Sequence, residues 1–465
     1  MIYYYYFITS PVLFSILIMP HVLLHFSMST TTLSRSMFKI RHISAFEYHT
    51  TSTLQTRSSS TSSQFPHYAT KTTKKKKTLT YADVIQSNDY QIDPLSIYNG
   101  TLPMPKALSP SAASEFKNCP QSFLFQYILQ IKQPPNLALA KGSVCHSALE
   151  QVFDLEPRER TLEHLQNLFR KNWSEVRLSD GYASLFDIPD DCGGGDNDDK
   201  DDIGVENKPR DLEAERQWGT EALNLLRNYY QLEDPRLIPR PNPLEREIWV
   251  TAHLSLDPLK GATSSQRDNT SPNKGDNDEA NHDTFYIRGI VDRLDFVAIP
   301  PSPNNNNSNL STNEPQGAIR IVDYKTGKAP DFKYSPATNQ KIANENMWQL
   351  KIYALLLREM IDKGKAYSKS GNLQKISAED IRLLRLMYLT SVQGEARYLD
   401  MDLGSTQEER NEILQEVHKE LSDIWKGITE LVSLQDPTKF MHCNREWCYC
   451  HKIRNKFIPG SLNCK

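Results

Sequence analysis

Apolar residues along this chain recur with two different periods. Between 244 and 324, three runs (244–254, 284–299 and 318–324) are rich in Val, Ile, Phe and Tyr, the composition of strands packed into a sheet. Helical spacing flanks them. The stretch 109–131 opens with Ser109-Pro110, an N-cap followed by proline at the first helical position, and then places Ala113, Phe116, Phe123 and Tyr127 along one face. Amphipathic patterns recur over 141–153 and 213–230. After the strands come a predicted helix at 346–363, strands at 381–389 and 395–400, and a long helix at 407–431. This order predicts an α/β or α+β domain with a mixed central β-sheet flanked by helices. It contains no internal repeat and no phosphate-binding GxxxxGK[ST] loop, so a helicase motor would have to be a separate chain.

Polar low-complexity runs interrupt the pattern at 190–210, 261–283 and 300–316, where Gly, Asp, Ser and Asn dominate. Such runs bury too little apolar area to fold and are expected as disordered insertions, two of them at hairpin tips. The first 80 residues differ again: Glu47 is their only acidic residue, Ser, Thr and Tyr abound, and Lys74 to Lys77 form a basic run. That is the composition of a targeting presequence, and Ser44-Ala45-Phe46 is similar to the cleavage motif of two-part plastid presequences. An organelle, plastid or mitochondrion, is the expected location, ahead of nucleus or cytosol. The apolar stretch 2–26 is broken by Pro11 and Pro20 and has no basic flank, so no stable membrane association is expected of the mature form. Residues 81–107 are expected to link the presequence to a folded domain at 108–464.

Charge narrows the function classes. With 54 Lys and Arg against 57 Asp and Glu, the net charge of −3 excludes a globally basic protein, and any nucleic-acid contact must be a local patch. Seven cysteines in a chain this long, three of them crowded into 443–450, suggest free thiols or a metal cluster over a secreted disulfide framework.

Candidate chemistry concentrates in Gly289-Ile-Val-Asp292-Arg-Leu-Asp295 and Ile321-Val-Asp323-Tyr324-Lys325-Thr-Gly327. Each puts a carboxylate at the end of an apolar strand, where two neighbouring strands can present Asp292 and Asp323 to one hard cation. Strand alternation turns Lys325 to the same face as Asp323, and Asp295 away from Asp292. Carboxylates on a metal with an ammonium beside them make a phosphodiester hydrolysis site. The metal acidifies water, and the lysine orients the nucleophile or stabilises the charged transition state.

Taken in order, these residues resemble the PD-(D/E)xK nuclease superfamily, and within it the RecB-like exonucleases. The resemblance starts at Leu108-Ser-Pro-Ser-Ala-Ala-Ser-Glu-Phe-Lys-Asn-Cys119-Pro, similar to the opening helix. It continues at Lys141-Gly-Ser-Val-Cys-His146-Ser-Ala-Leu-Glu150, similar to the segment whose histidine binds metal. It implies a restriction-endonuclease-like core and hydrolysis of DNA, single-stranded or frayed, with Mg²⁺ or Mn²⁺. The metal ligands it implies are His146, Asp292, Asp323 and the carbonyl of Tyr324. It also places Glu245, from Leu244-Glu245-Arg-Glu247, near the catalytic pair, and puts Gln349 and Tyr353, one turn apart on a helix, beside Lys325. Lys132, Arg293 and Lys328 are candidates to track the strand. The alternative is a catalytically idle DNA-binding or scaffold module of the same fold acting with a partner. Two carboxylates held beside a lysine argue against that.

Relatives of this kind bind a [4Fe–4S] cluster through one cysteine in the opening helix and three near the C-terminus in a C-x2-C-x5-C pattern. Here Cys119 takes the first position, but the C-terminal set is Cys443, Cys448 and Cys450. Arg454 stands where the last cysteine should be, and Cys464 is the remaining candidate. The cluster, zinc on the same residues, or no metal all stay open.

Overall fold

The computed structural model of the protein describes residues 84, 92–179, 181–188, 209–237, 243–258, 283–299, 316–364, 373 and 376–462. The predicted presequence, Cys464, and all but residues 209, 210, 283 and 316 of the predicted insertions lie outside these residues. Five strands form one sheet: β1 (Glu245–Ser255), β2 (Thr284–Ile299), β3 (Gln316–Lys328), β4 (Ile381–Thr390) and β5 (Arg397–Asp402), in the order β1-β2-β3-β4-β5. Neighbours are antiparallel except β3 and β4, which are parallel. A parallel pair needs a long crossover, and the chain supplies one as a helix of 27 residues between them. The fold is therefore α+β with a mixed sheet, as the periodicity predicts.

The helices are α1 (Pro110–Asn118), α2 (Pro120–Phe123, running on through a π turn at Leu124–Ile128), α3 (Leu137–Gln151), α4 (Leu162–Val176), α5 (Leu212–Leu232), α6 (Pro336–Asp362), α7 (Gln407–Ser433) and α8 (Tyr449–Ile453). The helix predicted over 109–131 breaks at Cys119, because Pro120 bars the preceding residue from helical geometry; Cys119 is extended, with φ −163° and ψ 96°. The long α6 starts at Pro336, earlier than predicted, and its Ser335 cap accepts a hydrogen bond from Thr338 N–H. Helix α4 was not predicted. Its Thr161 cap and the buried Leu165, Phe169 and Trp173 carry the usual signals.

The helices cover both faces of the sheet. On one, α1, α2, α6, α7 and α8 enclose the larger core with Ile248, Val250, Ile287, Val291, Ile319 and Ile321 from β1 to β3. On the other, α3, α4 and α5 pack Ala148, Phe169 and Tyr229 against Val322, Tyr324, Met387 and Leu389. The stretch predicted to link is anchored to the domain: Leu102 is buried, Ile92 bridges Phe457, and just beyond it Leu108 bridges Ile287. Among the described residues, no helix is long and apolar enough to cross a membrane.

Candidate active site

Strands β2 and β3 pair from Ile299–Gln316 to Arg293–Val322, which brings the next residues, Asp292 and Asp323, to the same end of the ladder. The ladder is closed off locally by a side chain: Asp292 Oδ2 accepts a 2.8 Å hydrogen bond from Tyr324 N–H. Along β3 the faces alternate. Ile321 goes to the larger core, Val322 and Tyr324 to the smaller one, and Asp323 with Lys325 back towards α6.

Lys325 is held there by two partners. Its Nζ lies 2.7 Å from Asp323 Oδ2 and donates a 3.0 Å hydrogen bond to Gln349 Oε1. Gln349 Nε2 in turn donates to Tyr353 OH at 2.7 Å, so the two residues one helical turn apart form a relay from α6 to Lys325. An edge of the Tyr353 ring lies against β2, where an added Cβ at Gly289 would come within 2.6 Å of it; only glycine lets the ring sit so close. The ammonium approaches Asp323 Oδ2 outside hydrogen-bonding geometry, and that buried oxygen makes no hydrogen bond. A buried, underused carboxylate oxygen suits a cation.

From the other face, α3 delivers His146, whose Nδ1 lies 3.4 Å from Asp292 Oδ2. Burial pushes the imidazole pKa down, and Lys325 adds to this against the opposing pull of Asp323 and of the Tyr324 main chain. This shift favours the neutral ring, the form that ligates metals. Tyr324 presents only its main chain to the site, since its phenol is buried and accepts a 3.0 Å hydrogen bond from Arg293.

The third carboxylate of the site is Glu247. In the register Arg246 pairs with Arg293 and Ile248 with Val291, so Glu247 stands opposite Asp292 across a missing rung. Its φ of +46° is a left-handed backbone that non-glycine residues seldom adopt, and it turns the side chain inward. Burial pushes Glu247 up to about 7, helped by repulsion from Glu150 and Asp323. Asp292 is raised well above the usual carboxylate range, by burial first and then by Asp323, with Glu247 adding to it. The predicted Glu245 pairs with Leu294, two rungs away. Glu150 and Glu247 were both missed as site residues. Glu150 lies four residues after His146 and so on its helix face, a readable signal; the backbone turn at Glu247 leaves none.

One further expectation changes. Arg293 cannot track a nucleic acid. It is 1 % exposed, pairs with Asp295 and Glu233 at 2.8 Å each, and lies over the Phe153 ring. Asp295, already set aside, belongs to that cluster and also meets Arg320 at 2.8 Å. Lys132 and Lys328 are exposed.

Away from these elements, Cys119 at the α1–α2 junction meets Cys443, Cys448 and Cys450, with all four Sγ atoms within 4.8 Å of one another, a set that could hold a metal. Cys145, next to His146 in sequence, is buried in the smaller core, and burial pushes its thiol up to about 12.

Comparison with known families agrees with this geometry. The profile of the PD-(D/E)XK nuclease superfamily matches residues 107–453, most of the chain, and the protein belongs to that superfamily. Its members are nucleases that use divalent metal ions. No curated protein matches the chain.

Proposed function

We propose that the protein is a Mg²⁺- or Mn²⁺-dependent deoxyribonuclease that degrades single-stranded or frayed DNA from an end, serving repair, recombination or turnover of organellar DNA. The observation that carries the hydrolytic reading is the convergence of Asp292, Asp323 and Lys325, with the buried Asp323 Oδ2 left without a hydrogen bond. Repulsion among Asp292, Asp323 and Glu247 is the electrostatic sign of a cation site. The exonuclease assignment rests on the likeness to RecB-like enzymes, and the organelle on the composition of residues 1–80.

Asp292, Asp323, neutral His146 and the Tyr324 carbonyl would hold one or two ions. Bound there, the metal acidifies a water and offsets phosphate charge. The chain's own groups do the rest. Lys325, fixed between Asp323 and Gln349, orients the attacking water and stabilises the charge that builds on the phosphoryl oxygens. Tyr353 fixes Gln349, and Glu247 adds a third carboxylate facing Asp292. Lys132 and Lys328 are the basic side chains proposed to meet the DNA backbone.

Degradation of 5′- and 3′-labelled linear single strands, blunt duplex and closed single-stranded circles tests this. Short products released from one end of linear single strands, with circles spared, are expected. Cutting of circles would replace the exonuclease reading with an endonuclease, and hydrolysis of RNA alone would overturn the choice of DNA.

A further inference from the structure

We propose that Cys119, Cys443, Cys448 and Cys450 hold one tetrahedral zinc ion rather than a [4Fe–4S] cluster. The four Sγ atoms all lie within 4.8 Å of one another. A tetrahedral ion with Zn–S bonds of about 2.3 Å sets its sulfurs about 3.8 Å apart, so the thiols need only a small inward shift to close on it. A cubane bonds each thiolate to a different iron at an outward corner. Its sulfurs therefore stand apart by the iron–iron separation plus the reach of two divergent bonds, and four thiols this close leave no room for four irons and four sulfides.

The surroundings select sulfur and a small ion. Cys448 and Cys450 are separated by one residue at the start of α8, which keeps their thiols together. Each nearby imidazole turns one ring nitrogen to the Cys443 carbonyl, His451 Nε2 at 2.7 Å and His442 Nδ1 at 3.0 Å, and the set of ligand atoms within 4.8 Å of one another contains the four thiols and neither imidazole. Ser122 N–H donates to Cys119 Sγ at 3.4 Å, and Arg445 pairs with Cys443 while donating to the Asn118 carbonyl at 2.9 Å. These donors offset part of the double negative charge that four thiolates and a divalent ion carry.

The ion is a structural clamp. It joins the α1–α2 junction to the segment after α7, at a corner also tied by Tyr449 OH donating to the Ile131 carbonyl at 3.0 Å and by the stacked rings of Phe125 and Phe457. Three of the four thiols are buried. No element that carries the carboxylate site contributes a cysteine to it.

The test uses the full chain purified without oxygen from cells supplied with both iron and zinc. Metal and sulfide analysis should give one zinc per chain, neither iron nor acid-labile sulfide, and no loss of this zinc in Asp323→Ala. Exchange with cobalt should give the intense sulfur-to-metal absorption and visible bands of a tetrahedral tetrathiolate, absent from Cys448→Ser. Iron and sulfide in equal amounts at about four per chain would overturn the proposal. So would a metal-free wild type whose thiols leave cobalt six-coordinate. The wild-type cobalt spectrum decides the matter even if the serine variant does not fold.

Discussion

Asp292 accepts a hydrogen bond from the main-chain N–H of Tyr324, the residue that separates Asp323 from Lys325. One 2.8 Å contact thereby fixes both carboxylates and the lysine relative to each other, because Asp323 and Lys325 are the immediate neighbours of the donor. The carboxylate that anchors β2 is thus also the reference point for the motif on β3.

The relay on α6 should act on the rate more than on binding. Gln349→Ala removes the hydrogen bond that aims Lys325, and should lower kcat by roughly 10- to 100-fold with a smaller change in KM. Tyr353→Phe, which removes only the hydroxyl that receives Gln349 Nε2, should do the same more weakly. Steady-state kinetics on a labelled oligonucleotide checks both, and an effect confined to KM would contradict the assigned role.

Gly289→Ala should impair the site from behind. A methyl there meets the Tyr353 ring at 2.6 Å, and the ring must move, taking Gln349 with it. Activity should fall by about tenfold or more while the unfolding midpoint shifts little, since overpacking at one ring edge costs only about 1–3 kcal/mol. Kinetics beside denaturant unfolding separates the two effects.

The two neighbouring glutamates should differ. Glu247→Gln removes a carboxylate that faces Asp292, and should weaken Mn²⁺ binding by roughly 10- to 100-fold. Glu245→Gln should leave it within about twofold. Calorimetric titration with Mn²⁺ measures both, and the reverse ranking would restore the sequence-based choice of Glu245.

The Arg293 cluster should matter for stability alone. Burial raises the carboxyl pKa of Asp295, but Arg293 and Arg320 more than offset this, and the folded value lies below the ordinary one. A depressed folded pKa contributes stability above the unfolded pKa of about 3.9, and loses it as pH falls through the folded value. Asp295→Asn should cost about 3–5 kcal/mol at neutral pH, because Arg293 stays buried with one partner fewer. The variant should also lose part of the acid dependence of unfolding. Denaturant titrations from neutral pH down to about pH 3 test both, and an unchanged acid limb would contradict the pairing.

How much of this could be read from the sequence depends on range. The pairing of β2 with β3 and the shared face of Asp323 and Lys325 follow from local alternation, and the turn spacing of Gln349 and Tyr353 follows from the helical period. Superfamily order placed His146 beside them. Two differences between the sequence reading and the structure have long-range or backbone causes. Arg293 looked free because two of its partners are distant in sequence, Glu233 at the C-cap of α5 sixty residues earlier and the Tyr324 phenol on β3, although Asp295 two residues on was there to be read. Glu247 was passed over for Glu245 because a left-handed residue inside a strand leaves no trace in periodicity. The break at Cys119 was legible in the Cys-Pro pair and was overridden by the amphipathic pattern running through it.

The most direct test of the central claim compares cleavage of single-stranded DNA by the wild type and by Asp323→Asn, each with Mg²⁺, with Mn²⁺ and with chelator. The substitution keeps the shape of a side chain that is 3 % exposed, so the fold should survive while the cation site loses a charge. The account predicts cleavage by the wild type only when metal is present, and a loss of about a thousandfold or more in the variant. Equal rates in the two proteins, or wild-type cleavage that persists in chelator, would contradict it.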